Sequence, residues 1–304
     1  MKKPKIVVVG SSNTDMVVKV PRIPVPGETI IGDGFMTVPG GKGANQAVAA
    51  ARAGAEVTFI TCVAEDSFGK QAILNYKEEG INTSFIKTVN EGHSGIALIT
   101  VANDGENSIA VAPGANSALF PEDIIKYEEA FDGAQVILTQ LEIPMETVLK
   151  VAEIAEAKKI PLILNPAPAV SVPEELIGKL TLITPNESES AILTGREEFT
   201  GNDMQDMACE LYDMGAKTVL ITLGAKGVCL KDADTLEMIE GYPVKALDTT
   251  AAGDVFNGAL AVALADGMSV KKALGFAQRA AAISVTRMGA QPSAPTREEI
   301  NNFN

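Results

Sequence analysis

Asp248-Thr249-Thr250-Ala251-Ala252-Gly253-Asp254 sets a carboxylate beside small residues, immediately before an apolar run of helical character. Small residues let a ligand come close to the backbone, and a helix N-terminus offers free N–H groups and a partial positive charge. The stretch predicts an anion pocket with a base, Asp254, at its side, which is equipment for chemistry on a phosphate. Asn13 and Asp15 are two residues apart, so in extended backbone they point the same way. An amide and a carboxylate together suit a polyol, although taken alone the pair reads as a capped turn. Gly40-Gly41-Lys42-Gly43-Ala44-Asn45 opens a helix with glycines that permit close approach, and Lys42 and Asn45 can reach a ligand there. The Walker spacing is absent from it. Glu142 follows a strand, where open α/β sheets bind ligands. Asn186 and Glu189 stand at i and i+3 in a first helical turn, where they can hold a hydrated Mg²⁺ or simply answer the helix dipole. Thr222-Leu223-Gly224-Ala225-Lys226-Gly227 follows another strand and is a weak signal by itself.

Composition narrows the classes. The length of 304 residues permits one large α/β domain or two small ones, and 46% hydrophobic with 21% charged residues is the composition of a soluble globular protein. A net charge of −14 repels nucleic acid and anionic lipid, so neither is an expected partner, and a phosphate must be held by dipoles, a few cations or a metal. Cys62, Cys209 and Cys229 lack ligand spacing and fit a reducing compartment. Met1-Lys2-Lys3-Pro4-Lys5 is basic, but Ile6–Val9 is too short for a signal sequence, and the expectation is a cytoplasmic protein. His93, the sole histidine, is read as an exposed loop residue without a role.

The elements that must carry these residues follow from periodicity. Lys5–Val9 is a buried-strand run. Met16–Val20, Glu28–Ile31 and Phe35–Val38 read as short strands between Pro and Gly. Gly43–Ala53 reads as a helix, Val57–Val63 as a strand, and Ser67–Glu79 as a helix capped by Ser67. Gly95–Ala102 and Asn107–Ala112 form a hairpin across Asp104-Gly105. Strands and helices then alternate to the C-terminus, where two helices, Gly253–Ala265 and Val270–Thr286, close the chain. The methionines at 204, 207 and 214 read as core contacts. Alternation implies a doubly wound sheet, and the segments Ser11–Val38 and Ser94–Ala112, which break it, are expected to pair as a small separate sheet.

Taken together the motifs resemble the ribokinase-like carbohydrate kinases over the whole length. The resemblance runs from Val9-Gly10-Ser11-Ser12-Asn13-Thr14-Asp15 and Pro26-Gly27-Glu28-Thr29 through Gly40–Ala47, Asn165-Pro166-Ala167-Pro168 and Thr184-Pro185-Asn186-Glu187. It continues in Ile221–Gly224, Asp248–Asp254 and Arg287–Ser293. It implies one α/β kinase domain over 1–304, a doubly wound, mostly parallel sheet flanked by helices, with a small β-sheet lid made by 11–38 and 94–112 that also pairs two subunits into a homodimer. It implies an ATP-dependent sugar kinase with Mg²⁺, and K⁺ as an activating cation. Asn13, Asp15, Gly41, Lys42, Asn45, Glu142 and Asp254 would contact the sugar. Asp254 would be the base, and Ala251, Ala252 and Gly253 the anion hole. Asn186, Glu189, Thr222, Gly224, Ala225, Lys226, Gly227 and Gly253 would serve the nucleotide and its Mg²⁺, with Gln278 near the adenine. Asp248, Thr250, Ser284, Arg287, Gly289 and Ser293 would hold K⁺, several through carbonyls.

A phosphorylated sugar calls for extra Arg or Lys at the lid, and the sugar-side motifs offer only Lys42, with Arg22 a remote option. A nucleoside calls for stacking, and the lid segments hold one aromatic residue, Phe35. A small neutral sugar fits, and the resemblance favours ribose, phosphorylated at its 5-hydroxyl, over deoxyribose or fructose. A dehydrogenase is excluded because Gly-x-Gly-x-x-Gly does not follow Val7-Val8-Val9. A non-catalytic sugar-binding regulator fits less well, since Asp254 and its anion hole are present. From its place near a helix N-terminus, Asp254 is expected to be readily ionised and so a weak base.

Overall fold

Ile6-Val7-Val8-Val9 has no polar position to give to solvent, and in the computed structural model, which describes residues 3–303, all four are buried. Met1 and Lys2, at the start of the basic segment, lie outside the described residues. This run is β1 (Lys5–Val9), the inner strand on which the sheet is built. After it come β2 (Asn13–Val20), β3 (Gly34–Gly40), α1 (Lys42–Arg52), β4 (Glu56–Ala64), α2 (Ser67–Glu78), β5 (Ile86–Val89), β6 (Gly95–Ala102) and β7 (Asn107–Ala112). The chain continues through α3 (Pro121–Lys126), β8 (Val136–Thr139), α4 (Met145–Lys158), β9 (Leu162–Leu164), α5 (Glu174–Ile177), β10 (Leu182–Ile183), α6 (Glu187–Leu193) and α7 (Met204–Asp213). It ends with β11 (Val219–Thr222), β12 (Val228–Lys231), β13 (Leu236–Ile239), α8 (Ala252–Ala265), α9 (Val270–Ser284) and α10 (Arg297–Asn302).

The large sheet has nine strands in the order β13-β12-β11-β10-β9-β8-β1-β4-β5, with every pair parallel except β11–β12 and β12–β13, so that β12 alone runs against the rest. The chain steps from β1 to β4 on one side and from β8 through β11 on the other. The switch point therefore lies between β1 and β8, and ligands bind outside the carboxyl ends of strands at such a point. Alternation along β1 feeds two cores. Ile6 and Val8 pack with α1, α8 and α9, while Val7 and Val9 pack with α4, α5 and α7. Met204 and Met207 are buried in the second core and Met214 packs against it.

The second sheet is separate, in the order β3-β2-β6-β7, with β2 and β6 parallel and the outer pairs antiparallel. The two segments that interrupt the alternation do pair with each other, as expected. The expected strand Glu28–Ile31 does not form. Pro24 and Pro26 remove donors there, and Glu28 turns back to accept from Arg22 and from the Val25 N–H, closing a loop instead. Asp66, not Ser67, caps α2, accepting from Gly69 N at 2.7 Å. The short strand β5 and helix α10 were hidden by their polar content; a Thr296–Glu299 capping box starts α10.

The closest helix contact that matters for the site is α1 on α8. Gly258 permits it, since a Cβ there would lie 2.7 Å from the Gln46 carbonyl oxygen and 2.9 Å from the Ala50 nitrogen. Gly258→Ala gains roughly 1 kcal/mol of helix propensity but overpacks backbone at a cost of about 1–3 kcal/mol. A lowered urea midpoint is expected; an unchanged or raised one would show that the helices part freely.

Candidate active site

The starts of α1, α6 and α8 meet the carboxyl ends of the central strands at the switch point. Gly41 takes φ +88°, and a Cβ on it would lie 2.6 Å from the Asn13 nitrogen, so this turn into α1 requires glycine. The turn brings the Lys42 N–H to Glu142 Oε2 at 3.0 Å, and Ser11 Oγ donates to the same oxygen. Asn13 and Asp15 share a face of β2. Gly40 and Gly95, on the strands either side, leave them room: a Cβ on Gly40 would lie 2.3 Å from both Asp15 carboxylate oxygens, and one on Gly95 2.1 Å from Asn13 Oδ1. Asn116 Nδ2 donates to Asn13 Oδ1 at 2.7 Å, while Asn116 Oδ1 accepts the Ser12 N–H, which fixes the direction of the Asn13 amide.

Across from α1, Ala251 caps α8 in the left-handed region at φ +58°, a conformation that alanine adopts at a cost and that clusters at functional sites. The Ala252 N–H is drawn to the Thr249 carbonyl at 3.2 Å, tightening this entrance turn. Asp254 lies in the first turn of α8 and is only 7% exposed. Gln46 Nε2 donates to its Oδ1 at 2.9 Å and Asn45 Nδ2 to its Oδ2 at 2.9 Å. Asn45 Oδ1 is buried with no protein partner, so an acceptor is left over beside the carboxylate.

Two cavities meet here. One, of about 460 Å³, is lined by Asn186, Glu189, Thr222, Gly224, Gly253 and Asn257 among others. The other, of about 770 Å³, lies under the small sheet against Asn13, Asp15, Asn45, Glu142, Ala97 and Val111. Lys42, Thr249, Ala251 and Asp254 line both. The first has a helix N-terminus on each side, suited to phosphates; the second sets paired oxygen acceptors beside an apolar wall, suited to a small polyol.

The electrostatics are those of one cation among carboxylates. Burial opposes the charge of Lys42, but Asp254, Glu142, Glu189 and Asp15 outweigh it and raise its pKa. Burial, then Glu142 and Asp254, push Asp15 up to about 6. Burial also raises Asp254, against the pull of Lys42, Gln46 and Asn45. The expectation of an easily ionised, weakly basic Asp254 is thus reversed in direction, because loss of water outweighs the Lys42 charge and the two amide hydrogen bonds. Glu189 is raised chiefly by burial as well.

Other predicted residues are placed as follows. Asn186 and Glu189 cap each other, at 2.8 and 2.9 Å, and both still line the first cavity. Thr222 and Gly224 line it too. Ala225, Lys226 and Gly227 are not among its lining residues; Lys226 is 3.5 Å from Glu187, and Gly227 packs its left-handed backbone on the Ile239 carbonyl. Gln278 lines neither cavity and donates to the Glu240 carbonyl at 3.2 Å. Asp248 joins two loops: Oδ1 accepts from Thr250 N and Oγ1, and Oδ2 from Gly289 N. These bonds hold its pKa low despite some burial. Arg287 is turned onto Glu299, and the Ser284 and Ser293 hydroxyls donate to the Ala281 and Ala290 carbonyls. His93 Nδ1 meets the Ser94 carbonyl, away from both cavities. Sequence reasoning missed Gln46, Gln140, Asn116 and Asn257 as site residues. Their only signal is an amide in an otherwise apolar or small-residue context.

A family model described as "pfkB family carbohydrate kinase" matches residues 3–297. The chain is 46% identical to the ribokinase of Haemophilus influenzae over 98% of its own length and 97% of that protein's. It is 37% identical to a deoxyribokinase of Salmonella typhi, with 98% of each chain covered. Among solved structures, that of Arabidopsis thaliana ribokinase complexed with ribose and ATP superimposes with a TM-score of 0.91 at 34% identity, covering 100% of this chain and 99% of the other.

Asp15 carries a measurable cost. Its pKa is about 6 folded against an ordinary 3.8, so the folded state holds the proton more tightly. The associated stability is complete below about pH 4 and is lost as pH rises through 6, by about 3 kcal/mol in all. Asp15→Asn should therefore raise the unfolding free energy at pH 8 by roughly 1–3 kcal/mol, with the gain fading as pH falls toward 4. A gain that does not vary with pH, in urea titrations at several pH values, would refute this.

Proposed function

The chain belongs to the pfkB family of carbohydrate kinases, and on that premise we propose that it transfers the γ-phosphoryl group of ATP to the 5-hydroxyl of D-ribose, giving ribose 5-phosphate and ADP. The observation that carries this reading is the shared wall: Asp254 and Lys42 line both cavities at once. ATP would lie in the first, with its γ-phosphate toward Ala251, Ala252 and Gly253 at the start of α8. Ribose would lie in the second, held by Asn13, Asp15, Gly41, Lys42, Asn45 and Glu142. The unpartnered Asn45 oxygen would accept one sugar hydroxyl proton. Asp254 would take the proton of the attacking hydroxyl, and its raised pKa makes it a better base than an exposed aspartate. The transition state of such a transfer is loose, and its charge would be met by the α8 N-terminus and Lys42.

The site residues fit the two cations. No three or more His, Cys, Asp or Glu side chains gather into a ready cage among the described residues. Asn186 and Glu189 at the first cavity suit a Mg²⁺ that keeps water and phosphate oxygens as most of its ligands. The side chains of Asp248, Ser284, Arg287 and Ser293 are engaged with protein, so K⁺ would be met chiefly by carbonyl oxygens of the two loops that Asp248 joins. When bound, Mg²⁺ would neutralise phosphate charge and K⁺ would stiffen the turn before α8. The lid reading extends to a homodimer: Phe35, Met36 and Leu98 leave large apolar side chains exposed on the small sheet. No helix among the described residues is long and apolar enough to cross a membrane. The three free thiols support a cytoplasmic setting.

ADP release with ATP, Mg²⁺ and a panel of sugars tests the reading. Ribose is expected to give the highest kcat/KM, above deoxyribose and fructose, and no ribose-dependent ADP would overturn it. Asp254→Asn should retain ATP and ribose binding but lose roughly 10²–10⁴ in kcat; near-normal turnover would remove Asp254 as the base. EDTA should abolish turnover, and replacing K⁺ by a bulky organic cation should reduce it.

A further inference from the structure

Beneath both cavities runs a chain of buried polar groups. Gln140 Nε2 donates to Gln46 Oε1 at 2.6 Å. Gln46 Nε2 donates to Asp254 Oδ1 at 2.9 Å and to Asn165 Oδ1 at 3.0 Å. Asn165 Nδ2 reaches the Thr184 carbonyl at 3.2 Å, and Thr184 Oγ1 donates to Asn257 Oδ1 at 2.6 Å. Asn257 Nδ2 ends the chain on the Gly253 carbonyl at 2.8 Å, one residue before Asp254. Gln46 is wholly buried and is the only member that touches the carboxylate.

The direction of the Gln46 amide is fixed from both ends. Its oxygen receives the Gln140 N–H, so its nitrogen must face Asp254 and Asn165, and both protons of that nitrogen are used. Gln140 is itself confined, because Gly10 leaves the space its amide fills: a Cβ there would lie 2.0 Å from Gln140 Oε1. An apolar core side chain would fill the Gln46 site equally well, yet would leave a buried carboxylate oxygen without its donor.

We propose that Gln46 is the positioning residue for Asp254, holding Oδ1 so that Oδ2, on the cavity side with Asn45, is the oxygen that receives the proton of the attacking hydroxyl. In that step the hydroxyl O–H pair stays on the sugar oxygen and forms the bond to the γ-phosphorus. The bond from that phosphorus to ADP breaks with its pair leaving on ADP, and the proton passes to Oδ2. The proposal deepens the kinase reading and rests on it.

Lys42 from α1, Asp15 from β2, Glu142 after β8 and Glu189 from α6 also act on Asp254 through their charges, so the test compares variants in which these four are unchanged. In Gln46→Met, kcat is expected to fall about 10–100-fold, with KM for ATP and ribose within about threefold of wild type. The acid limb of the kcat–pH profile should move up by roughly one pH unit, since a hydrogen bond to the charged form is lost. Gln140→Met, which leaves Gln46 in place but frees its oxygen, should give a smaller shift in the same direction, and it carries the test if Gln46→Met does not fold. The ionisation of Asp254 is read independently by carboxyl infrared or ¹³C NMR titration of the ligand-free proteins, with Asp254→Asn to assign the signal. Failure of the wild type to phosphorylate any sugar would defeat the kinase reading while leaving this titration interpretable. Folded variants whose acid limb and Asp254 titration match wild type, or whose loss is confined to KM, would overturn the proposal.

Discussion

The rest of the site depends on one constraint: a carboxylate has been taken out of water at the start of a helix. Burying an unpaired charge is among the most expensive acts in a protein interior, and a charged group survives there only when donors and counter-charge surround it. For Asp254 these come from a single helix, α1, which supplies Asn45, Gln46 and Lys42. The close packing of α1 on α8, the glycine at 258 and the turn at Gly41 all follow from the need to bring that helix start within hydrogen-bonding distance. What results is a carboxylate that holds its proton more tightly than aspartate in water, kept in one orientation, with one side-chain acceptor unused beside it.

The sugar side obeys a steric rule as well as an electrostatic one. Asn13 and Asp15 sit where three strands of the small sheet meet, and their side chains fit there because Gly40 and Gly95, the two register partners of Asn13, have none: a Cβ on Gly40 would strike the Asp15 carboxylate and one on Gly95 the Asn13 amide. Asn116 then ties the root of this sheet to the main body through Ser12 and Asn13. The small sheet is thus anchored at its base by Asn13 and Asn116 and leaves large apolar side chains such as Phe35 and Leu98 exposed.

Much of this was legible in the chain. The glycine–lysine loop, the Asp248–Asp254 stretch and the paired Asn13 and Asp15 pointed to a phosphate beside a polyol, and family resemblance joined them into a sugar kinase. Strand–helix alternation gave the doubly wound sheet because periodicity reports burial directly. What escaped was of two kinds. Glu28–Ile31 is β-prone in composition, but its glutamate finds a local partner in Arg22, and local hydrogen bonding competes with strand pairing. Gln46 and Asn257 carry no motif that marks them, since their worth lies in partners 208 and 73 positions away. The basicity of Asp254 was misjudged for the same reason: the helix terminus is visible in sequence, whereas the depth of burial is set by distant packing.

That separation has a consequence for how the protein comes into being. The two donors to Asp254 lie 209 and 208 residues before it. Loop closure over such a span is only logarithmically more costly than over a short one, but contacts of this range form slowly. During synthesis Asn13, Lys42 and Gln46 emerge long before α8, and until α8 docks on α1 the amides at the base have nothing to hold. The site is therefore not a local feature decorating a finished fold. It closes in the same event that joins the two ends of the chain, so a product cut short before α8 would have the sugar-side residues without a chemical centre.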